Sequence, residues 1–125
     1  MNNVYRIIVA GSRGATSNET YRLLERKLNL LLVEKAKTHT IEIVSGTANG
    51  ADRLGERYAE DRNYNVSRFP ADWNTHGKRA GYLRNEQMAE HADALVALWD
   101  GESRGTQHMI NIANEKNLPT RIINY

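Results

Sequence analysis

The sequence predicts an α/β fold of three layers, in which a five-stranded parallel sheet lies between helices on both faces. Three observations predict it. Five short strand-like runs are spread along the chain, helix-like stretches separate them, and three strand-to-helix turns are rich in glycine and small polar residues. Alternation of this kind implies βαβ units with right-handed crossovers.

The elements follow in order. VYRIIVAG (4–11) is the first strand-like run. Residues 18–37 then place Tyr21, Leu24, Leu28, Leu31 and Leu32 at helical spacing. Thr16 with Glu19 three residues on has the pattern of a capping box. TIEIVSG (40–46) is the second run, and residues 50–62 place Ala51, Leu54, Gly55 and Tyr58 on one helical face. NVSRFP (65–70) is the third. The longest irregular piece, PADWNTHG (70–77), precedes a helix-like stretch over 78–91. DALVALW (93–99) leads to a helix over 105–117 with Met109, Ile112 and Ala113 along a stripe, and TRIINY (120–125) closes the sequence. IIVAG and ALVALW are almost continuously apolar, as central strands covered on both faces must be.

At 125 residues, one domain spanning 1–125 is expected, long enough to bury a core without a staple. There is no cysteine, hence no disulfide and no thiolate metal site. The opening MNNVYRIIVAG is too short and too polar for a signal peptide, and no apolar run approaches the ~18 residues of a membrane span. A cytoplasmic location is the expectation. Seventeen Lys and Arg stand against fifteen Asp and Glu, a formal charge of +2. So even a balance, with no basic stripe, weighs against nucleic-acid binding.

The function question turns on VSGTANGADRLGERYAE (44–60), where a strand hands over to a helix through two glycines and several small polar residues. A tight turn alone accounts for one such loop. The signature recurs, however, as GSRGATS (11–17) after the first strand and DGESRGT (100–106) after the fourth. In an open parallel sheet, ligands bind beyond the carboxyl ends of the strands. Turns of this type aim backbone N–H groups and a helix N-terminus at one spot, which favours phosphate or another anion. Arg13, Arg53, Lys78, Arg79, Arg84 and Arg104 all fall in or just after these turns. Guanidinium groups match phosphate geometry, although Arg53 and Arg79 sit where a helix can point them outward. No Walker A lysine follows any of the loops and the spacing of a dinucleotide-binding GxGxxG is missing, which argues against a conventional ATPase or dehydrogenase. The four histidines show no metal-ligand spacing, so neither a metal nor a cofactor is assigned.

Three stretches carry a family resemblance. Gly11-Ser12-Arg13, SGTANGADRLGERYAE and FPADWNTHGKRAGYLRN (69–85) resemble the GSR, SGGARGADRLGE and FPADWxxxGKxAGxxRN of the small YspA/YpsA-related branch of the SLOG superfamily, a Rossmann-like group that includes the LOG-type phosphoribohydrolases and DprA. The resemblance runs over nearly the whole chain and implies a five-stranded parallel sheet of order 3-2-1-4-5. LOG-type enzymes carry an Arg-Lys pair, an Asp nine residues after the Arg, and a PGGxGTxxE loop. Arg84 and Asp93 match, Asn85 takes the Lys position, and WDGESRGTQHM keeps Gly101, Gly105 and Thr106 with two more residues between the glycines. Trp99 replaces the Pro, and Met109 stands where LOG-type enzymes have their final Glu.

The resemblance implies a ligand with a ribose phosphate: a nucleotide, an ADP-ribose derivative or a nucleotide-derived signal. The expected ligand-binding residues are Gly11, Ser12, Arg13, Ser45, Gly46, Asn49, Gly50, Asp52, Trp73, Lys78, Arg84, Asn85, Gly101, Arg104, Gly105 and Thr106. Trp73, Trp99 and Tyr82 are the candidate platforms for a base. Cleaving an N-glycosidic bond requires a carboxylate. With Met109 in the Glu position, Asp52, Asp72, Glu86, Asp100 and Glu102 are the candidates. Glu86 and Asp100 are preferred, and Arg84, expected to pair with a phosphate or sugar oxygen, completes the expected catalytic set. Three readings stand: a module that senses or sequesters a nucleotide-derived ligand, which the missing Glu favours; a nucleotide N-glycosidase with a displaced acid; and a DprA-like nucleic-acid binder. LOG-type relatives self-associate, so the resemblance implies a homo-oligomer; the apolar run LNLLLV (28–33) is compatible with a helix face in such an oligomer and equally with core.

Overall fold

The computed structural model describes residues 3–125. Strands β1 (Asn3–Gly11), β2 (His39–Ser45), β3 (Asn65–Arg68), β4 (Ala94–Trp99) and β5 (Thr120–Asn124) form one sheet. All its pairings are parallel and its order is β3-β2-β1-β4-β5, the order the resemblance implied. Helices α1 (Asn18–Leu32), α2 (Lys35–Thr38), α3 (Ala51–Arg62), α4 (Trp73–His76), α5 (Ala80–His91) and α6 (Arg104–Glu115) connect the strands. Among the described residues, no helix is long and apolar enough to cross a membrane.

The central position of β1 follows from its side chains. Ile7 and Val9 enter one buried cluster with Leu24, Leu28, Ile43 and Tyr58, while Ile8 and Ala10 enter a second with Val44, Leu95, Met88 and Met109. Successive strand residues face opposite ways, so a run apolar at every position needs cover on both faces. Helices α1 and α3 provide it on one side, α5 and α6 on the other. Each aliphatic side chain fully buried this way contributes roughly 2 kcal/mol.

Several boundaries differ from expectation. The helix expected over 18–37 is divided into α1 and α2 by a turn at Val33 and Glu34, whose backbone stays in the right-handed helical region, and α2 ends where β2 starts at His39 opposite Asn3. Its cap is Ser17 rather than Thr16: the Ser17 hydroxyl accepts from the Thr20 N–H at 3.0 Å. The 70–77 stretch is not irregular throughout. Asp72 accepts from the Thr75 N–H at 3.1 Å and caps the short α4, and a 3-10 turn over Gly77–Arg79 leads into α5. The 28–33 run divides: Leu28 and Leu32 are core, whereas Leu30 is 73% and Val33 55% exposed.

Beyond the carboxyl ends of β1 and β4 the connections diverge, β1 leading towards β2 and β4 towards β5. A crevice opens at such a switch point.

Candidate functional site

A cavity of about 540 Å³ occupies this crevice. The connections that follow β1, β2, β3 and β4, together with α5 and the first half of α6, build its walls. Ser12 ties the loops together from behind: its N–H donates to the Leu98 carbonyl (2.9 Å), its carbonyl accepts from the Ala51 N–H (3.2 Å), and its hydroxyl accepts from the Asp100 N–H (3.1 Å). The β2–α3 loop closes against the same carbonyl. Gly50 adopts φ +90°, and a Cβ there would lie 2.4 Å from the Ser12 carbonyl oxygen, so only glycine lets α3 start so close to β1. Ser45 is buried, donating to Glu56 (2.6 Å) and accepting from the Thr47 N–H (3.1 Å).

Arg84 crosses the cavity wall from α5. Its Nη1 donates to the Gly46 carbonyl at 2.5 Å and its Nε to Asn85 Oδ1 at 3.1 Å. Asn85, itself buried, donates from Nδ2 to the Gly105 carbonyl at 3.2 Å. One polar chain thus spans the β2–α3 loop, α5 and the start of α6. Gly46 is the fitted piece: a Cβ there would meet Arg84 Nη1 at 2.8 Å and Asp52 Oδ2 at 2.9 Å.

The α6 end is built by capping. Asp100 Oδ1 accepts from the N–H groups of Glu102 and Ser103, both at 2.8 Å, and these bonds hold its carboxyl below the usual carboxylate range. Ser103 is the N-cap of α6, accepting from the Thr106 hydroxyl at 3.0 Å. The Arg104 and Gly105 N–H groups take no acceptor from the described residues. Four such donors are left over at any helix start.

Of the expected binding residues, Gly11, Arg13, Gly46, Asn49, Asp52, Trp73, Lys78, Arg84, Asn85, Gly105 and Thr106 line the cavity. Ser12, Ser45 and Gly50 are buried behind its wall, and Gly101 and Arg104 stand exposed outside the lining. The two preferred carboxylates are not in the lining either. Glu86 is exposed on α5, where its charge reaches His108, and Asp100 serves as the turn cap. The carboxylate that does line the cavity is Asp52. Of the aromatic candidates, Trp73 (54% exposed) and Tyr82 line it. Trp99 packs on the core and donates from its indole to the Ser103 carbonyl at 3.1 Å, buttressing α6. Asp93, at the LOG-like spacing, accepts from the Arg6 N–H at 2.8 Å and anchors the opposite end of the sheet.

The charged lining residues are Arg13, Lys78, Arg84 and Asp52, three cations against one carboxylate. Asp52 is held at the start of α3 by the Ala48 N–H, 3.0 Å from Oδ2. Burial pushes its pKa up to about 6, against the opposing pull of that N–H and of Arg84. Burial also lowers the Arg84 pKa, with Asp52 opposing.

Sequence reasoning did not single out Thr47, Gly81, Met88 and Ser103 for the site, though all line it, and it put Met109 on the apolar stripe of α6 and at the LOG-type Glu position without counting it among the binding residues. The signal for Met88 and Met109 was present as helical apolar spacing. Such spacing cannot tell a cavity floor from the interior. Thr47 carried a signal too, since the related motif has glycine there; the structure places its backbone at φ 64°.

Comparison with known proteins gives the following. Residues 5–76 match the YspA, cpYpsA-related SLOG family. The Gene 61 protein of Mycobacterium phage D29 is 38% identical over 89 residues, 66% of this chain and 70% of that protein. Among solved structures, DNA processing protein A (DprA) from Streptococcus pneumoniae superposes with a TM-score of 0.73 at 16% identity, over 96% of this chain and 50% of that one. The protein TM1055 superposes with 0.64 at 17% identity, over 96% of this chain and 72% of that one. The chain thus spans only half the length of the DprA structure. At such identities these two likenesses concern the fold alone.

Proposed function

The chain belongs to the YspA/cpYpsA-related SLOG family, and from that premise we propose that it binds a nucleotide or nucleotide-derived ribose-phosphate compound in the β1–β4 cavity, as a sensor or sequestering module. The observation that carries this reading is the charge of the lining: Arg13, Lys78 and Arg84 around one cavity, with Asp52 as the single carboxylate. The whole chain carries an excess of only two positive charges. An equal excess gathered in one crevice favours an anion. The free N–H groups at the start of α6 add donors for a phosphate, and the exposed Trp73 and Tyr82 at the rim offer flat faces to a base.

Binding without turnover is preferred because Met109, a side chain with no acid–base chemistry, sits in the lining at the position of the LOG-type glutamate. A second reading, hydrolysis of the N-glycosidic bond, draws on Asp52. A carboxyl with a pKa of about 6 is suited to accept a proton from an attacking water near neutrality. One experiment separates the readings. The protein is incubated with adenosine 5′-monophosphate, NAD and ADP-ribose, thermal shift and calorimetry report binding, and chromatography reports free base. Binding with intact recovery supports the module, and base release abolished by Asp52→Asn supports the hydrolase. No binding of any of these compounds would sink both.

A further inference from the structure

Asp52 is only 6% exposed, yet it lines the cavity. Its Oδ2 is occupied by the Ala48 N–H. Its Oδ1 receives no hydrogen bond from the described residues, and among them no buried side-chain nitrogen or oxygen lacks a partner. Oδ1 is therefore open to the cavity rather than sealed in the packing. Arg84 is its counterpart across Gly46. Nη1 and Nε are taken by the Gly46 carbonyl and Asn85, leaving Nη2 without an acceptor among the described residues. Nη2 faces Gly81, lying 3.7 Å from where a Cβ on that residue would be. The atoms that flank Gly46, Arg84 Nη1 and Asp52 Oδ2, are both occupied, so each of these two lining side chains keeps one bare polar atom, a donor on Arg84 and an acceptor on Asp52.

A half-satisfied carboxylate in a desolvated position is unfavourable until a donor reaches it. A phosphate monoester is mostly a dianion at pH 7.5, its second pKa being about 6, and so has no donor to offer, whereas each ribose hydroxyl has one. The rim aromatics lie at the exposed edge of the cavity, so a base stacked there leaves its sugar nearer Asp52. We propose that Asp52 Oδ1 is a specificity-determining acceptor that takes a sugar hydroxyl of the ligand, while the anionic group lies on the cationic lining. This rests on the nucleotide reading above and adds a selection to it: compounds with free vicinal hydroxyls are preferred over their deoxy analogues.

The test compares adenosine 5′-monophosphate, its 2′-deoxy, 3′-deoxy and 2′,3′-dideoxy analogues, and inorganic phosphate by calorimetry at pH 7.5. The unmodified protein is expected to bind the monophosphate at least about tenfold more tightly than the dideoxy compound, the usual effect of losing a hydrogen bond to a charged group. In Asp52→Ala the two are expected to bind within about threefold. Equal binding of both by the unmodified protein overturns the proposal and leaves the nucleotide reading standing. Discrimination that persists in Asp52→Ala also overturns it, because another group then reads the sugar. Absence of binding by every nucleotide overturns both. Should Asp52→Ala fail to fold, equal binding by the unmodified protein still overturns the proposal, and Asp52→Asn, which keeps an acceptor for the Ala48 N–H, replaces the variant arm: a narrowed preference supports the proposal and an unchanged one overturns it.

Discussion

Arg84 Nη1 donates to the carbonyl oxygen of Gly46 at 2.5 Å, joining residues 38 positions apart in the chain. The same guanidinium reaches Asn85 with Nε. A planar fork satisfies two acceptors in fixed directions, and an ammonium cannot reproduce both.

Arg84→Lys is therefore expected to weaken nucleotide binding by roughly 1.5–3 kcal/mol, the range for a hydrogen bond to a charged group. Calorimetric titration with adenosine 5′-monophosphate measures it. Affinity within twofold of the unmodified protein would show that Arg84 is a wall strut and not a ligand contact.

Asp52 makes stability fall with rising pH over a defined window. Its folded pKa is about 6, above the roughly 3.9 of an unfolded aspartate. Below about pH 4 both states hold the proton. Between about pH 4 and 6 the unfolded chain releases it first, so stability drops, and above that range the difference is constant. Arg84 and Arg53 relieve the carboxylate while Glu56 opposes it, and burial outweighs them. Asp52→Asn keeps an acceptor for the Ala48 N–H and removes the charge. It is expected to gain about 1–3 kcal/mol at pH 7.5 and almost nothing at pH 3.5. Denaturant titrations at both values check it, and an equal gain at both would show that charge burial is not the cause.

Gly46 and Gly50 separate function from folding. A Cβ at Gly50 would run into the Ser12 backbone at 2.4 Å and into Arg13, on a residue already at φ +90°. A Cβ at Gly46 meets the ends of two side chains. Gly50→Ala is expected to destabilise by about 2 kcal/mol or more. Gly46→Ala should fold with a smaller loss, yet bind nucleotide poorly because Arg84 and Asp52 are displaced. Melting temperatures and titrations of the two variants should rank in opposite orders.

Thr47 holds φ 64°, a conformation disfavoured for a β-branched residue. Thr47→Gly is expected to raise stability by about 1 kcal/mol, the usual size of such strain. A lower melting temperature would mean that the Thr47 side chain contributes more than its backbone costs.

Trp73 is more than half exposed at the cavity rim. Trp73→Ala is expected to leave the melting temperature within about 2 °C, since exposed substitutions usually stay within about 0.5 kcal/mol. Nucleotide affinity should fall by about 1 kcal/mol or more through lost stacking. Trp73 fluorescence unchanged on saturation with nucleotide would place the base elsewhere.

The sequence by itself determined the layered fold. Continuous apolar runs demand a strand covered twice, as Ile7, Ile8, Val9 and Ala10 are, and the alternation of strands with helices demands parallel crossovers. It also marked three of the turns that line the β1–β4 cavity, because glycines between a strand and a helix are readable one residue at a time. Tertiary structure decided what each residue in those loops faces. Ser12, Ser45 and Asp100 share the composition of ligand-binding residues but spend their hydrogen bonds on neighbouring backbone or on Glu56. Asp52, one candidate among several in the chain, becomes the carboxylate of the cavity lining, while Glu86, two positions past Arg84, points elsewhere. Exposure of a side chain to a crevice depends on packing between elements distant in sequence, here β2, α5 and α6, and no local pattern of residues encodes that distance.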